Sequence, residues 1–331
     1  MEPTLTPSEI SNLWNTYLGN TMGSEVTNLF RLNVRDEEIH KMLDTAQKDA
    51  NEIVDGAKFL LNEAKHPLPE SFDENDVNRN ASPQFTDNAV LLLKHSLTQK
   101  ACMEYSAALT SSTRGDVRNY FVQCLTRTKA LLNTLVELVD KKGLNQPKIH
   151  IPIPGKIEKV QKQSFLGGFV KGNRPLTSEE IRHLVFNFQD VAVMNSVFKA
   201  FSQMTESKEI KEQFNRGVEI GNKHLDIFQS LMNKNDLPNL PTWESEITDS
   251  IDPSFSDRVI LFKTSIFIGA TASNYGKALS TSFRKDLGVD FLRLMGEWLI
   301  FGEDNLNIMI KRGFLDQMPL AKREDQVDCS S

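Results

Sequence analysis

Long apolar runs are missing from this chain of 331 residues. The longest, Ala89 to Leu93 and Val259 to Phe262, reach about five residues where roughly 20 are needed to cross a bilayer, so no transmembrane segment is expected. Cysteine is scarce: Cys102, Cys124 and Cys329 form no paired spacing, which argues against a disulfide framework and for reduced thiols. Lysine and arginine never cluster among aromatics, and the net charge is -6, so nucleic acid is not an expected partner. The opening Met1-Glu2-Pro3-Thr4 lacks the basic and apolar regions of a secretory signal, and a cytoplasmic location is the expectation. Motifs of the G-x-S-x-G, H-E-x-x-H, C-x-x-C, P-loop and G-x-G-x-x-G kinds are all absent.

What the chain does contain is itself, twice. Leu5-Thr6-Pro7-Ser8-Glu9-Ile10 returns as Leu176-Thr177-Ser178-Glu179-Glu180-Ile181, and Glu38-Ile39 returns as Glu209-Ile210. Pro83-Gln84-Phe85-Thr86-Asp87 matches Pro253-Ser254-Phe255-Ser256-Asp257. Tyr105 with Ala108-Leu109 matches Tyr275 with Ala278-Leu279, and Lys141-Lys142-Gly143-Leu144 matches Lys311-Arg312-Gly313-Phe314. The order of these matches is the same in both halves, as a tandem duplication requires.

Each copy reads as four helices. Ile10, Leu13, Trp14, Tyr17, Leu18, Val26, Leu29 and Phe30 recur at steps that place them on one helical face, and Ile181, Leu184, Val185, Phe188, Val197 and Phe201 repeat the stripe. Thr6 with Glu9, and Thr177 with Glu180, have the spacing of a capping box, with Leu5/Ile10 and Leu176/Ile181 as staples. A second helix spans about Asp36 to Ala64. Its small residues Ala46 and Ala50, matched by Gly217 and Gly221, predict the close approach of a neighbouring backbone. A polar stretch, Lys65 to Gln84 or Asp236 to Ser254, is too long for a hairpin, so helix three should run parallel to helix two. Helices three and four, near Thr86 to Ser111 and Val117 to Lys142, are joined by a short turn and should be antiparallel. The predicted fold is therefore all-α, two tandem ferritin-like four-helix bundles with long crossover connections. The first spans 1–146 and the second 175–319, with a linker at 147–174 and a polar tail at 320–331. Alternating prolines from Pro147 to Pro154 stiffen the linker. The apolar segment that follows makes Phe165, Leu166 and Phe169 candidates for a contact in the groove between the bundles, with a partner or ligand contact as the other reading.

Few residues offer chemistry. Glu37-x-x-His40 has the spacing of a di-iron ligand pair, but its two members point away from the stripe carrying Ile39. Lys208 and Lys211 replace them in the second copy, and neither fourth helix has a histidine. No cofactor is predicted, with a di-metal centre kept as a remote alternative. His224 occupies the inward position that Ile53 holds in the first copy, and Glu297 could approach it across the bundle, forming a polar core pair. His95 with Glu104, and His183 with Asp190, read as solvated polar faces. Trp14, Phe30, Trp298 and Phe301 read as core filling.

The repeated Leu-Thr-x-x-Glu-Ile starts, Gln163-Ser164-Phe165-Leu166, Thr242-Trp243-Glu244-Ser245-Glu246, Phe255-Ser256-Asp257, Asn274-Tyr275-Gly276 and Arg284-Lys285-Asp286-Leu287 resemble the tandem-bundle family of bacilli known as domain of unknown function 3231. The resemblance runs from about Leu5 to Pro319. It implies a duplicated ferritin-like fold, a bacillus source and a looser kinship with spore-coat proteins of the coat-protein-F kind, hence a forespore or spore association; it brings no catalytic residues. A non-enzymatic structural or interaction protein, tied to sporulation or stress and meeting a protein partner or itself, is the leading reading. The alternatives are a divergent ferritin-like metal-binding or oxidase protein and a binder of a small apolar ligand in a bundle core, where Gly217 and Gly221 would leave room.

Overall fold

The computed structural model describes residues 4–168 and 174–321, and all regular elements among them are helical. The first copy consists of α1 (Pro7–Asn33), α2 (Glu37–Glu63), α3 (Asp87–Ser111) and α4 (Gly115–Lys141). The second consists of α5 (Ser178–Met204), α6 (Lys208–Asn233), α7 (Asp257–Thr281) and α8 (Lys285–Lys311). Corresponding elements have nearly equal lengths. Even the left-handed backbone positions recur, Lys65 with Asp236 after the second helices and Gly143 with Gly313 after the fourth. Gly143 and Gly313 close their helices as left-handed caps, where a Cβ would be strained.

Local chemistry starts each copy the same way. Thr6 and Thr177 cap α1 and α5 through complete capping boxes with Glu9 and Glu180. These glutamates do more than cap. Glu9 also accepts from the backbone N–H groups of Thr113 and Arg114 at 2.8 Å, tying the start of α1 to the α3–α4 turn; Glu180 accepts from the N–H of Arg284 and pairs with Arg174. Both are fully buried. Burial pushes their carboxyls up, yet the hydrogen bonds outweigh it and hold both down at about 2. The contact also sets direction, because the α1 start meets the α3 end. Likewise Lys141 at the end of α4 reaches Glu38 at the start of α2. Helices that touch are antiparallel, so α2 and α3 run parallel and the crossover traverses the bundle.

The two crossovers meet each other. Asn78 N–H donates to the Ser254 carbonyl and Thr248 N–H to that of Gln84; Ser256 N–H donates to the Asp76 carbonyl and Thr86 N–H to that of Glu246. These are two pairs of reciprocal contacts: each is its partner with the copies exchanged. Val77 bridges Phe255 and Phe85 bridges Ile247 by the same rule. Side chains follow, since Ser256, the cap of α7, donates to Asp76 at 2.6 Å and Thr86, the cap of α3, donates to Glu246. Phe30 meets Phe85 of its own copy and Phe255 of the other. The seam is thus an isologous two-fold contact within one chain. One apolar cluster runs through it from Trp14 to Met309, and a smaller one around Leu13, Tyr105 and Phe121 fills the far half of the first bundle.

From the end of α4 the chain continues without helix or strand to residue 162, leaving Ile153 and Ile157 exposed while Ile149 rests on the core. Phe169 and most of the tail, including Cys329, lie outside the described residues.

Replacing Glu9 with Ala removes the acceptor of three backbone N–H groups, those of Thr6, Thr113 and Arg114, and should lower stability by roughly 2–4 kcal/mol. Because Glu9 and Glu180 stay ionised to lower pH when folded, the stability they supply is present above about 4.5 and lost as pH falls toward 2. Urea titrations of wild type and Glu9→Ala across that window test both statements, and parallel pH curves for the two proteins would contradict the second.

Candidate functional site

The most organised polar group in a bundle interior is centred on His224. Its Nε2 lies 3.2 Å from Oε2 of Glu297 and its Nδ1 lies 3.0 Å from the Tyr275 hydroxyl. The two side chains expected to form a polar pair are therefore within contact, with a tyrosine that the sequence reading did not include. Lys223 and Arg293 hold the other carboxylate oxygen of Glu297 at 2.8 and 3.4 Å. Burial drives the imidazole down to about 4, against the pull of Glu297, so it is neutral at neutral pH. A neutral ring donates Nε2–H to Glu297 and accepts the Tyr275 proton at Nδ1. Glu297 is held down chiefly by Lys223 and His224, which outweigh its own desolvation.

This chain of hydrogen bonds runs from a half-buried carboxylate to a hydroxyl with no exposed surface. A substrate has no route to its inner end. The first copy explains what the histidine does instead. There Tyr105, the counterpart of Tyr275, takes a hydrogen bond from Asn20 at 2.9 Å, and Ile53 stands where His224 stands. In the second copy Val191 replaces Asn20. The partner of a buried tyrosine has moved from the first helix to the second, a compensated exchange that keeps the hydroxyl satisfied.

Several sequence expectations change in three dimensions. His183 and Asp190 are buried rather than solvated: His183 lies 2.6 Å from the Thr281 hydroxyl, and Asp190 faces the other copy. Their helix, α5, is covered on more sides than a single four-helix bundle provides. Gly217 and Gly221 are approached by side chains, not by backbone. A Cβ at Gly217 would lie 2.8 Å from Phe301 and 2.9 Å from Phe198, and one at Gly221 would strike Asn195. The room they leave is filled by the protein itself. Phe165 meets Phe283 edge-on and lies under the Arg174 guanidinium, and a Cβ at Gly168 would collide with Asp286. Phe283 and Asp286 belong to the second copy, at the α7–α8 turn, and Arg174 is the last residue of the linker, so the segment packs there rather than in the groove between bundles; Leu166 is partly exposed beside them. Glu104 is exposed, and His40 pairs with Asp44 on the surface.

A second polar cluster, at the seam, escaped sequence reasoning entirely. Lys100 of α3 donates to Asp190 of α5, and Asp190 also accepts from Thr271 at 2.9 Å. Lys94 donates to Thr27, and Lys263 lies 5.5 Å from the Phe267 ring, as does Lys100. Burial pushes Lys263 down to about 7, helped by the nearby charges of Lys94 and Lys100; burial alone brings Lys94 to about 8. Beside them a cavity of about 70 Å³ is lined by His95, Ser96, Gln146, Asp190 and Trp243. His95 Nε2 and Gln146 Oε1 have no protein partner there, and the space is large and polar enough for water to reach both. Burial and the Lys100 charge keep this imidazole below its ordinary range. Helical periodicity marks such residues only as polar intrusions on α3 and α5; no spacing signal says that they meet. Among the described residues no three His, Cys, Asp or Glu side chains gather closely enough to hold a metal ion.

The repeat and its seam frame the comparison with known proteins. A family model described as Protein of unknown function (DUF3231) matches residues 1–153 and again 164–327. The chain belongs to this family. The two matches divide the chain as the structure does, one DUF3231 unit per bundle. No curated protein matches it. A solved structure from Bacillus halodurans, described as a candidate spore coat protein, is 21% identical and aligns over 47% of this chain and 98% of its own, with a TM-score of 0.38.

Two predictions test these clusters. His224→Ile should cost about 1–3 kcal/mol by stranding the Tyr275 hydroxyl, and adding Val191→Asn should recover part of the loss by restoring the first-copy arrangement. Since His224 protonates near 6.5 unfolded and near 4 folded, its share of stability falls as pH drops through that window, and His224→Ile should flatten the slope. Thermal melts at pH 4 to 7 decide. Lys263 binds its proton more weakly when folded, so its burial penalty is full below about 7 and eases as pH rises toward 10.5. Lys263→Met should therefore raise the melting temperature by several degrees at pH 6 and by less at pH 9; an equal gain at both would rule out a charged, buried amine.

Proposed function

We propose that this member of the DUF3231 family is a non-enzymatic structural or interaction protein that works through the outer face of α8. The observation that carries the reading is a row of exposed aliphatic side chains on that face, Val289, Leu292, Leu299, Ile300 and Ile310, between 51% and 64% exposed. An apolar row of this kind is what a docking surface offers. The buried polar groups support the same reading, because His224 and Lys100 each hold the fold together: one satisfies a core tyrosine, the other joins the two copies. An association with sporulation or stress, in the cytoplasm, forespore or spore, is part of the proposal through the sequence resemblance described above. Expression confined to vegetative growth would remove that part.

The test is the size of the protein in fresh lysate of its native host. The chain should elute well above its 37.5 kDa monomer mass, and Leu299→Lys with Ile310→Lys should return it to monomer size without altering its melting temperature. Elution of the wild type as a monomer under all growth conditions would count against an interaction role.

A further inference from the structure

The helices α4 and α8 hold equivalent places. Each pairs with the helix before it and touches the second helix of its own copy. Their inward faces are both apolar, but their outward faces differ. On α8 the positions Val289, Leu292, Gly296, Leu299, Glu303, Leu306 and Ile310 follow one another in alternating steps of three and four, forming one stripe along the helix. The matching positions of α4 are Asn119, Val122, Thr126, Lys129, Asn133, Val136 and Asp140. The chain is its own control: the same frame is largely polar in one copy and apolar in the other. Single exposed aliphatics are ordinary, whereas a periodic row on one of two equivalent helices requires a cause.

The pattern selects the kind of occupant. Steps of three and four receive the side chains of another helix. A lipid surface is disfavoured, since membrane-lying helices flank their apolar face with Lys and Arg, and here the flanks carry Asp290, Glu297 and Asp304 with Arg293 and Lys311. The stripe also matches itself when reversed. About Leu299, Val289 falls opposite Ile310, Leu292 opposite Leu306, and Gly296 opposite Glu303. Nothing lies within 4 Å of a Cβ built on Gly296, so the glycine leaves a notch for the glutamate, and Arg293 one turn away supplies its counter-charge.

We infer that two copies of the chain form a dimer by packing α8 against α8, antiparallel, across a two-fold axis near Leu299. The inference rests on the reading of α8 as the working surface and names what covers it. The contact is isologous, each α8 stripe being covered by the other, so association through it closes at two instead of growing into a filament. The paired stripes and their flanks remove on the order of 1,000 Å² from water, the lower range of specific interfaces.

Sedimentation equilibrium of the purified full chain over a concentration series tests this. A monomer–dimer equilibrium is expected, with Leu299→Lys raising the dissociation constant at least a hundredfold. Glu303→Arg should weaken the dimer about tenfold, and adding Arg293→Glu should restore it; Val136→Lys on α4 should change nothing. Circular dichroism melts confirm that each variant folds. A purified wild type that stays monomeric, or a dimer indifferent to Leu299→Lys, overturns the inference. If the purified chain is monomeric while the lysate assembly persists and depends on Leu299 and Ile310, the occupant is another protein and the interaction role stands. If neither assembly nor dimer responds to those residues, both readings fall.

Discussion

The structure depends on a reciprocal exchange of backbone hydrogen bonds between the two crossovers. A segment that traverses a bundle without helix or ladder leaves its N–H and C=O groups unpaired, and burying them so is costly. Each copy solves the problem for the other: Asn78, Thr86, Thr248 and Ser256 all donate across the seam. The caps of α3 and α7 are anchored in the same exchange, through Asp76 and Glu246. A single DUF3231 unit cut at the linker would expose these groups together with the apolar faces around Phe30, Phe85 and Phe255. The duplication thus gives each crossover the surface that covers it, and one apolar cluster spans both bundles.

Within that common frame the copies have diverged in compensating pairs. Asn20 with Ile53 and Val191 with His224 are two solutions to one requirement, a partner for a buried tyrosine. The α4 and α8 outer faces show divergence of another kind, in which nothing inside the molecule compensates for the greasier surface. The first kind of change preserves the fold, and the second alters what the surface offers.

The seam also collects a local excess of positive charge. Lys100 pairs with Asp190, while Lys94 donates to Thr27 and burial lowers Lys94 and Lys263, Lys263 also feeling the charges of Lys94 and Lys100. Such a cluster stabilises little by itself, because desolvation consumes most of the Coulombic gain. It does fix which faces of α3, α5 and α7 meet.

Much of the architecture was legible in the order of residues. Helical periodicity, the capping boxes at Thr6 and Thr177, the glycine stops and the repeat itself are local or self-referential signals, so they determined the eight helices, their pairing and the parallel α2–α3 relation. The inward position of His224 was legible because a duplicate stood beside it for comparison. Tertiary structure alone decided that Glu9 and Glu180 tie distant turns, that side chains close on Gly217 and Gly221, that Phe165 belongs to the second bundle, and that His183 and Asp190 are buried. Each depends on which surfaces of two finished bundles face each other, and a helix face that looks solvent-exposed by periodicity is identical in sequence to one that a second bundle will cover.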